Sequence, residues 1–270
     1  MRTVIHPSSS HTAAAAGAPG LARRRWLKNA LVSSAGIPVA AALSAPLQAC
    51  GGSDDDCTDP GMKGFPSFFA QAPVLRMQDR LAEFLGAAEQ GIIEYRYVDA
   101  VRLAGHSCPT VAGAYLMTLK GIGALYGSAL PERGGIDVLM RDGREDGVTG
   151  VIASIATLLT GAAAETGFPG MGKAHRFTRK NLLSYGNAMQ GELALRRRDN
   201  GQAVQVRLDA SVTPWSEAIK PLMPRAIAGQ ATPDELRRFG ELWQARVKAM
   251  LIDHADDPRL IQVSPWTATA

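Results

Sequence analysis

The sequence predicts an α+β fold, a single core domain in which helices flank a small, mostly antiparallel sheet. Three observations carry that prediction. Apolar residues recur at helical spacing toward both ends of the 71–254 segment, and a short apolar run at Ile136–Met140 reads as a strand. Two strand-like runs within 192–208 surround Asp199-Asn200-Gly201, where Asn-Gly suits the positive φ angles of a tight hairpin turn. With 270 residues, 46% of them hydrophobic, the chain can bury a real core, which excludes a disordered protein.

The chain opens on a leader. Ala22-Arg23-Arg24-Arg25-Trp26-Leu27-Lys28 resembles the twin-arginine export consensus, and residues 30–49 follow as a mildly apolar, uncharged run broken by Pro38 and Pro46. That run is too weak for a membrane span, which wants about 20 strongly apolar residues, and it reads as the apolar region of a signal peptide covering 1–49. Leu47-Gln48-Ala49-Cys50 resembles a lipobox that would attach lipid at Cys50. Simple cleavage near Ala49 and an uncleaved anchor stay open beside it. All three imply a periplasmic domain, held at the membrane only where an anchor remains. Residues 50–70 read as a polar tether.

Within the core, the spacing of Val74, Leu75, Leu81, Phe84 and Leu85 predicts a helix over 72–88, and a second covers Tyr97–Ala104. A third starts at Pro109, whose missing N–H costs nothing in a first turn, and carries Val111, Tyr115, Leu116, Leu119, Ile122 and Leu125. Another runs from Val148 to its stop at Gly161. Residues 162–179 contain Gly167, Gly170, Gly172 and Pro169 without a clean period and read as a long loop, a common place for function. Thr232-Pro233-Asp234-Glu235 is a cap, first-turn proline and capping-box acid, leading a last helix with Leu236, Phe239, Trp243, Val247, Met250 and Leu251 as its apolar stripe. Residues 255–270 read as a tail.

The formal charge of +4 is misleading, because residues 1–49 hold five of the 29 basic residues and none of the 25 acids, leaving 24 against 25. A phosphate-binding face needs a concentrated basic excess, so nucleic acid is excluded as a partner; Arg196-Arg197-Arg198 reads as a solvated run beside a turn. After Cys50 only Cys57 and Cys108 remain, too few for a disulfide-built fold, although a Cys57–Cys108 bridge in an oxidising compartment stays open.

Gly105-His106-Ser107-Cys108-Pro109 is the sharpest constellation. Residues at i and i+2 point about 200° apart on a regular helix, so His106 and Cys108 face one ion only by straddling the turn into it, which Pro109 places there. Cys108 then falls at the N-cap, where unpaired N–H groups and the helix dipole favour a thiolate. Imidazole with thiolate suits one zinc-like transition-metal ion. The plain alternative is a buried thiol beside a hydrogen-bonded histidine.

Glu94-Tyr95, Leu103-Ala104-Gly105-His106-Ser107-Cys108-Pro109, the small-residue stretch Val111-Ala112-Gly113-Ala114-Tyr115 and the later Asn181-Leu182-Leu183-Ser184-Tyr185-Gly186 resemble, in order, the formylmethanofuran dehydrogenase E-subunit family. The resemblance spans roughly 75–210. It implies an α+β core that tends to dimerise and a metal held by the matched His106 and Cys108. The chain departs from the family pattern at Thr110, Asp146 and Asn187, carries no cysteine after Cys108 and so no C-terminal finger, and has an enlarged loop after Gly161. That loop offers Glu165 and His175 as further ligands, whose plain reading is surface polarity. His254, on the last apolar stripe, reads as a packed histidine. No phosphate loop, nucleophile elbow, His-Glu-x-x-His or haem-attachment motif occurs. The sequence supports an exported metal-binding protein, with a small-molecule or redox partner unspecified. A metal-free accessory lipoprotein and a disulfide-stapled binding protein remain as alternatives.

Overall fold

A computed structural model describes residues 62–267, so the leader, Cys50 and Cys57 lie outside the described residues. Among the described residues no helix is long and apolar enough to cross a membrane. The fold is α+β, as the sequence predicts. Strands β1 (Leu75–Gln78) and β2 (Ile92–Tyr95) form an antiparallel pair. The main sheet has the order β4-β3-β5-β6-β7, from β3 (Ile136–Met140), β4 (Leu183–Ser184), β5 (Leu193–Arg197), β6 (Ala203–Leu208) and β7 (Ile261–Pro265). Every neighbouring pair is antiparallel except β3 with β4.

The helices are α1 (Arg80–Phe84), α2 (Tyr97–Ala104), α3 (Pro109–Tyr126), α4 (Thr149–Thr160), α5 (Leu222–Ile227) and α6 (Pro233–Lys248). The central one is α3, which packs on α4 and on β5, β6 and β7 and buries Val111, Tyr115, Leu116 and Ile122 almost completely. Burying each such side chain is worth about 1.5–3 kcal/mol. Its glycines let the sheet come close. A Cβ on Gly113 would stand 2.6 Å from Leu208 Cδ2, and one on Gly121 would stand 2.7 Å from Leu195 Cδ1.

The predicted helix over 72–88 is corrected. Only Arg80–Phe84 is helical, because Asp79 caps it by accepting from the backbone N–H groups of Leu81 and Ala82. The residues before the cap follow period two: Leu75 and Met77 are buried and Arg76 is exposed, as a half-buried strand requires. Phe84 and Leu85 face solvent. The hairpin stands where predicted, but only Gly201 has a positive φ (76°), so Asn200 keeps an ordinary backbone and its side chain instead accepts from Gln202 N–H. Packing also extends past both ends of the predicted core. In the stretch read as tether, a 3-10 turn at Ser67–Gln71 buries Phe68 and Phe69, with Phe69 4.9 Å from the Tyr97 ring. In the stretch read as tail, β7 pairs with β6.

One buried ion cluster ties the elements together. Asp79, 4% exposed, accepts from Arg133 Nη1 at 2.9 Å and Arg179 Nη2 at 2.7 Å, which joins α1 to the turn before β3 and to the end of the long 162–179 loop. Arg179 Nη1 donates to the Arg133 carbonyl at 2.6 Å, and Arg133 Nη2 to the Leu158 carbonyl at 3.1 Å.

Candidate metal centre and its cleft

The site is built on the turn between α2 and α3. Gly105 ends α2 in the left-handed region (φ 74°), where glycine costs least, and its N–H bonds the Val101 carbonyl. Three residues later Cys108 is the N-cap of α3, with extended backbone, and its Sγ accepts from Val111 N–H at 3.5 Å. It is a buried free thiol. His106 is exposed, and its Nδ1 lies 2.9 Å from the Ala104 carbonyl. A carbonyl accepts only, so the contact puts the proton on Nδ1 and leaves the Nε2 lone pair for a ligand.

Helix α6 clamps this turn. The Ser107 carbonyl accepts from Trp243 Nε1 and Gln244 Nε2, both at 3.1 Å, and Ser107 Oγ donates to Gln244 Oε1 at 3.0 Å. With that proton committed, Tyr97 donates its hydroxyl to Ser107 Oγ at 2.9 Å. Burial pushes the Tyr97 phenol far above its ordinary range, so it stays a donor near neutral pH. Removing the Gln244 amide by Gln244→Ala takes away two of these bonds. The expected result is a loss of about 1–3 kcal/mol in urea unfolding of the full chain.

His106 and Cys108 line a cleft of about 570 Å³, whose apolar walls include Met117, Ile152, Leu208, Trp215 and Trp243. The two indoles pack 4.8 Å apart. Glu192 and Arg246 also line it. The Glu192 carboxylate is held by Leu208 N–H at 3.0 Å. Arg246 lies over the Trp215 ring at 4.1 Å and donates to the carbonyls of Thr213 and Ala210. Its partners among the described residues include no carboxylate, and burial alone draws its pKa down.

The other two candidate ligands sit elsewhere. Glu165 is exposed, with both carboxylate oxygens on Arg144 Nη2 at 3.0 and 2.9 Å. His175 has a left-handed backbone (φ 49°), keeps Nδ1 3.1 Å from the Pro169 carbonyl, and lines a separate cleft with Arg80, Arg133 and Arg179. Neither lines the cleft of His106 and Cys108. His254 is half-buried with Nδ1 3.3 Å from Asp257. Among the described residues no three His, Cys, Asp or Glu side chains gather to hold an ion. Imidazole and thiol are donor types that suit a zinc-like ion, but His106 and Cys108 are only two of the four donors of a tetrahedral set. Trp215, Arg246 and Glu192 were missed from the sequence, where Trp243 counted only as part of an apolar stripe.

No protein-family model matches the chain, and no curated protein matches it in sequence. Among solved structures the chain is similar to a tungsten formylmethanofuran dehydrogenase E-subunit-like protein from Syntrophus aciditrophicus, at 16% identity over 65% of this chain and 74% of that one, with a TM-score of 0.34.

Proposed function

We propose that this is an exported protein that holds one zinc-like ion through His106 Nε2 and Cys108 Sγ at the edge of the cleft. The observation that carries the reading is the pairing of an imidazole whose tautomer is set by Ala104 with a thiol at a helix N-cap, both opening on one cavity. The chemistry such an ion supplies is Lewis acidity toward water or a ligand in the positions the protein leaves open. The chain's own residues do the rest: Ser107, Trp243 and Gln244 fix the turn, and Trp215, Trp243 and Met117 give the cleft an apolar lining. Glu165 and His175 are left out of this ligand set because Arg144 and the Pro169 carbonyl hold them outside the cleft. A second copy of the chain is the proposed source of any further protein donor.

The competing reading is a metal-free accessory lipoprotein. It is favoured by the count of two donors and by the fact that Cys108 already serves as a cap. Metal analysis of the full chain, exported with its own leader, decides between them. Wild type is expected to carry about one equivalent per chain, the full occupancy of one site, and Cys108→Ala and His106→Ala almost none. Equal metal content in all three would sink the metal reading in favour of the accessory one.

A further inference from the structure

We infer that the cleft beside His106 and Cys108 binds a small organic monocarboxylate with a flat apolar body, the carboxylate on Arg246 and the body against Trp215 and Trp243. This rests on reading the cleft as the functional site and does not require the metal.

The first observation is the unpaired cation. Arg246 is half-buried. Other arginines drawn into the fold meet a carboxylate: Arg133 and Arg179 share Asp79, and Arg197 has Asp199. Arg246 has the face of Trp215 and the carbonyls of Thr213 and Ala210, which use two of its five N–H groups, and no carboxylate among the described residues. A charge withdrawn from water without a counter-ion is costly, and a ligand carboxylate, which accepts two N–H bonds from one guanidinium, supplies what is missing.

The second observation is the wall opposite. Met117, Ile152 and Leu208 line the same cleft as the indoles, a space large enough for a body of roughly one or two rings. Arg246 already covers one face of Trp215 and the two indoles pack on each other, so a flat body meets what the pair leaves exposed to the cleft, with its carboxylate close to the guanidinium. Glu192, on the same cavity, repels whatever Arg246 attracts, so the ligand's carboxylate is placed on the Arg246 side, and phosphate, which has no apolar body, gains nothing from the apolar walls.

The test is calorimetric titration of the full chain with phenylacetate and 1-naphthylacetate, with the matching neutral amides, and with inorganic phosphate. The acids are expected to bind saturably, the amides about tenfold or more weakly, and phosphate not at all. This acid-against-amide comparison uses the unaltered protein, so it does not depend on a variant folding. Arg246→Gln is then expected to lose the preference for the acids. Equal binding of acid and amide, tight binding of phosphate, an Arg246→Gln protein that keeps the preference, or failure of both acids to bind would each overturn the inference. The acid titration is repeated on Cys108→Ala. A retained acid preference there, with no metal in the wild type, removes the metal reading and leaves this one standing.

Discussion

Asp79→Ala is expected to cost the fold about 3–5 kcal/mol, because it strands two guanidiniums in the interior. The carboxylate carries four bonds: the N–H groups of Leu81 and Ala82, Arg133 Nη1 and Arg179 Nη2. Neither arginine has a second carboxylate within ion-pair distance among the described residues, and the Asp79 that joins them is itself only 4% exposed. Urea unfolding of wild type and variant measures the difference, and a loss below about 1 kcal/mol would mean that solvent reaches the cluster.

The same carboxylate makes the fold acid-sensitive. Burial alone pushes the Asp79 carboxyl up, but the hydrogen bond from Arg133, the charge of Arg179 and the Ala82 amide outweigh it, and the folded value lies below 3.8. The folded state therefore binds this proton less readily than the unfolded state. Its contribution is fully present above the unfolded value and is lost as pH falls through the lower folded one. Stability measured downward from about pH 4 is expected to fall more steeply in wild type than in Asp79→Asn, which has no such proton to take up.

Gly134→Ala is expected to be nearly as damaging, about 3–5 kcal/mol, through the same cluster. Gly134 has a φ of 86°, where an alanine is strained, and its Cβ would fall 1.1 Å from Arg179 Nη1. That nitrogen donates to the Arg133 carbonyl and belongs to the guanidinium on Asp79, so it gives way only by breaking those bonds. Since both substitutions break one pair, the double variant should lose clearly less than the two single losses added together. Gly123→Ala in α3 is the control. A Cβ there meets nothing within 4 Å, and helix propensity predicts a gain of about 0.5–1 kcal/mol.

What was legible in the sequence was local. The N-cap at Cys108, the stop at Gly161, the capping box at Thr232 and Glu235, and the hairpin closed by Gly201 are each decided by residues within a few positions of one another, and the structure has them where the sequence puts them. What was not legible depends on distant partners. Strand β7 exists because β6 offers an edge to Ile261–Pro265, and Leu75–Gln78 is a strand because β2 pairs with it while Asp79 stops the helix from reaching back. Asp79 itself has the composition of a surface turn. Only the return of the chain at Arg133 and Arg179 makes it the centre of a buried cluster.

The candidate site divides the same way. His106 and Cys108 were visible because a short motif holds both. The cleft they open on was not, because it is assembled from α3, α4, the end of β6 and α6. A tryptophan at helical spacing looks the same from sequence whether it ends in a core or on a cavity wall. Glu165 and His175 were legible by residue type alone; their places, on Arg144 and in a separate cleft, depend on the course of the loop.

X-ray absorption at the zinc edge, on full-length protein exported with its leader and purified without added metal, reads the proposed ligands themselves. The spectrum is expected to contain one sulfur neighbour at about 2.3 Å and one imidazole nitrogen at about 2.0 Å, with oxygen or nitrogen in the remaining positions, and to lose the sulfur signal in Cys108→Ala. A bound metal with no sulfur neighbour in the wild type, or the same sulfur signal in Cys108→Ala, would contradict the His106–Cys108 site.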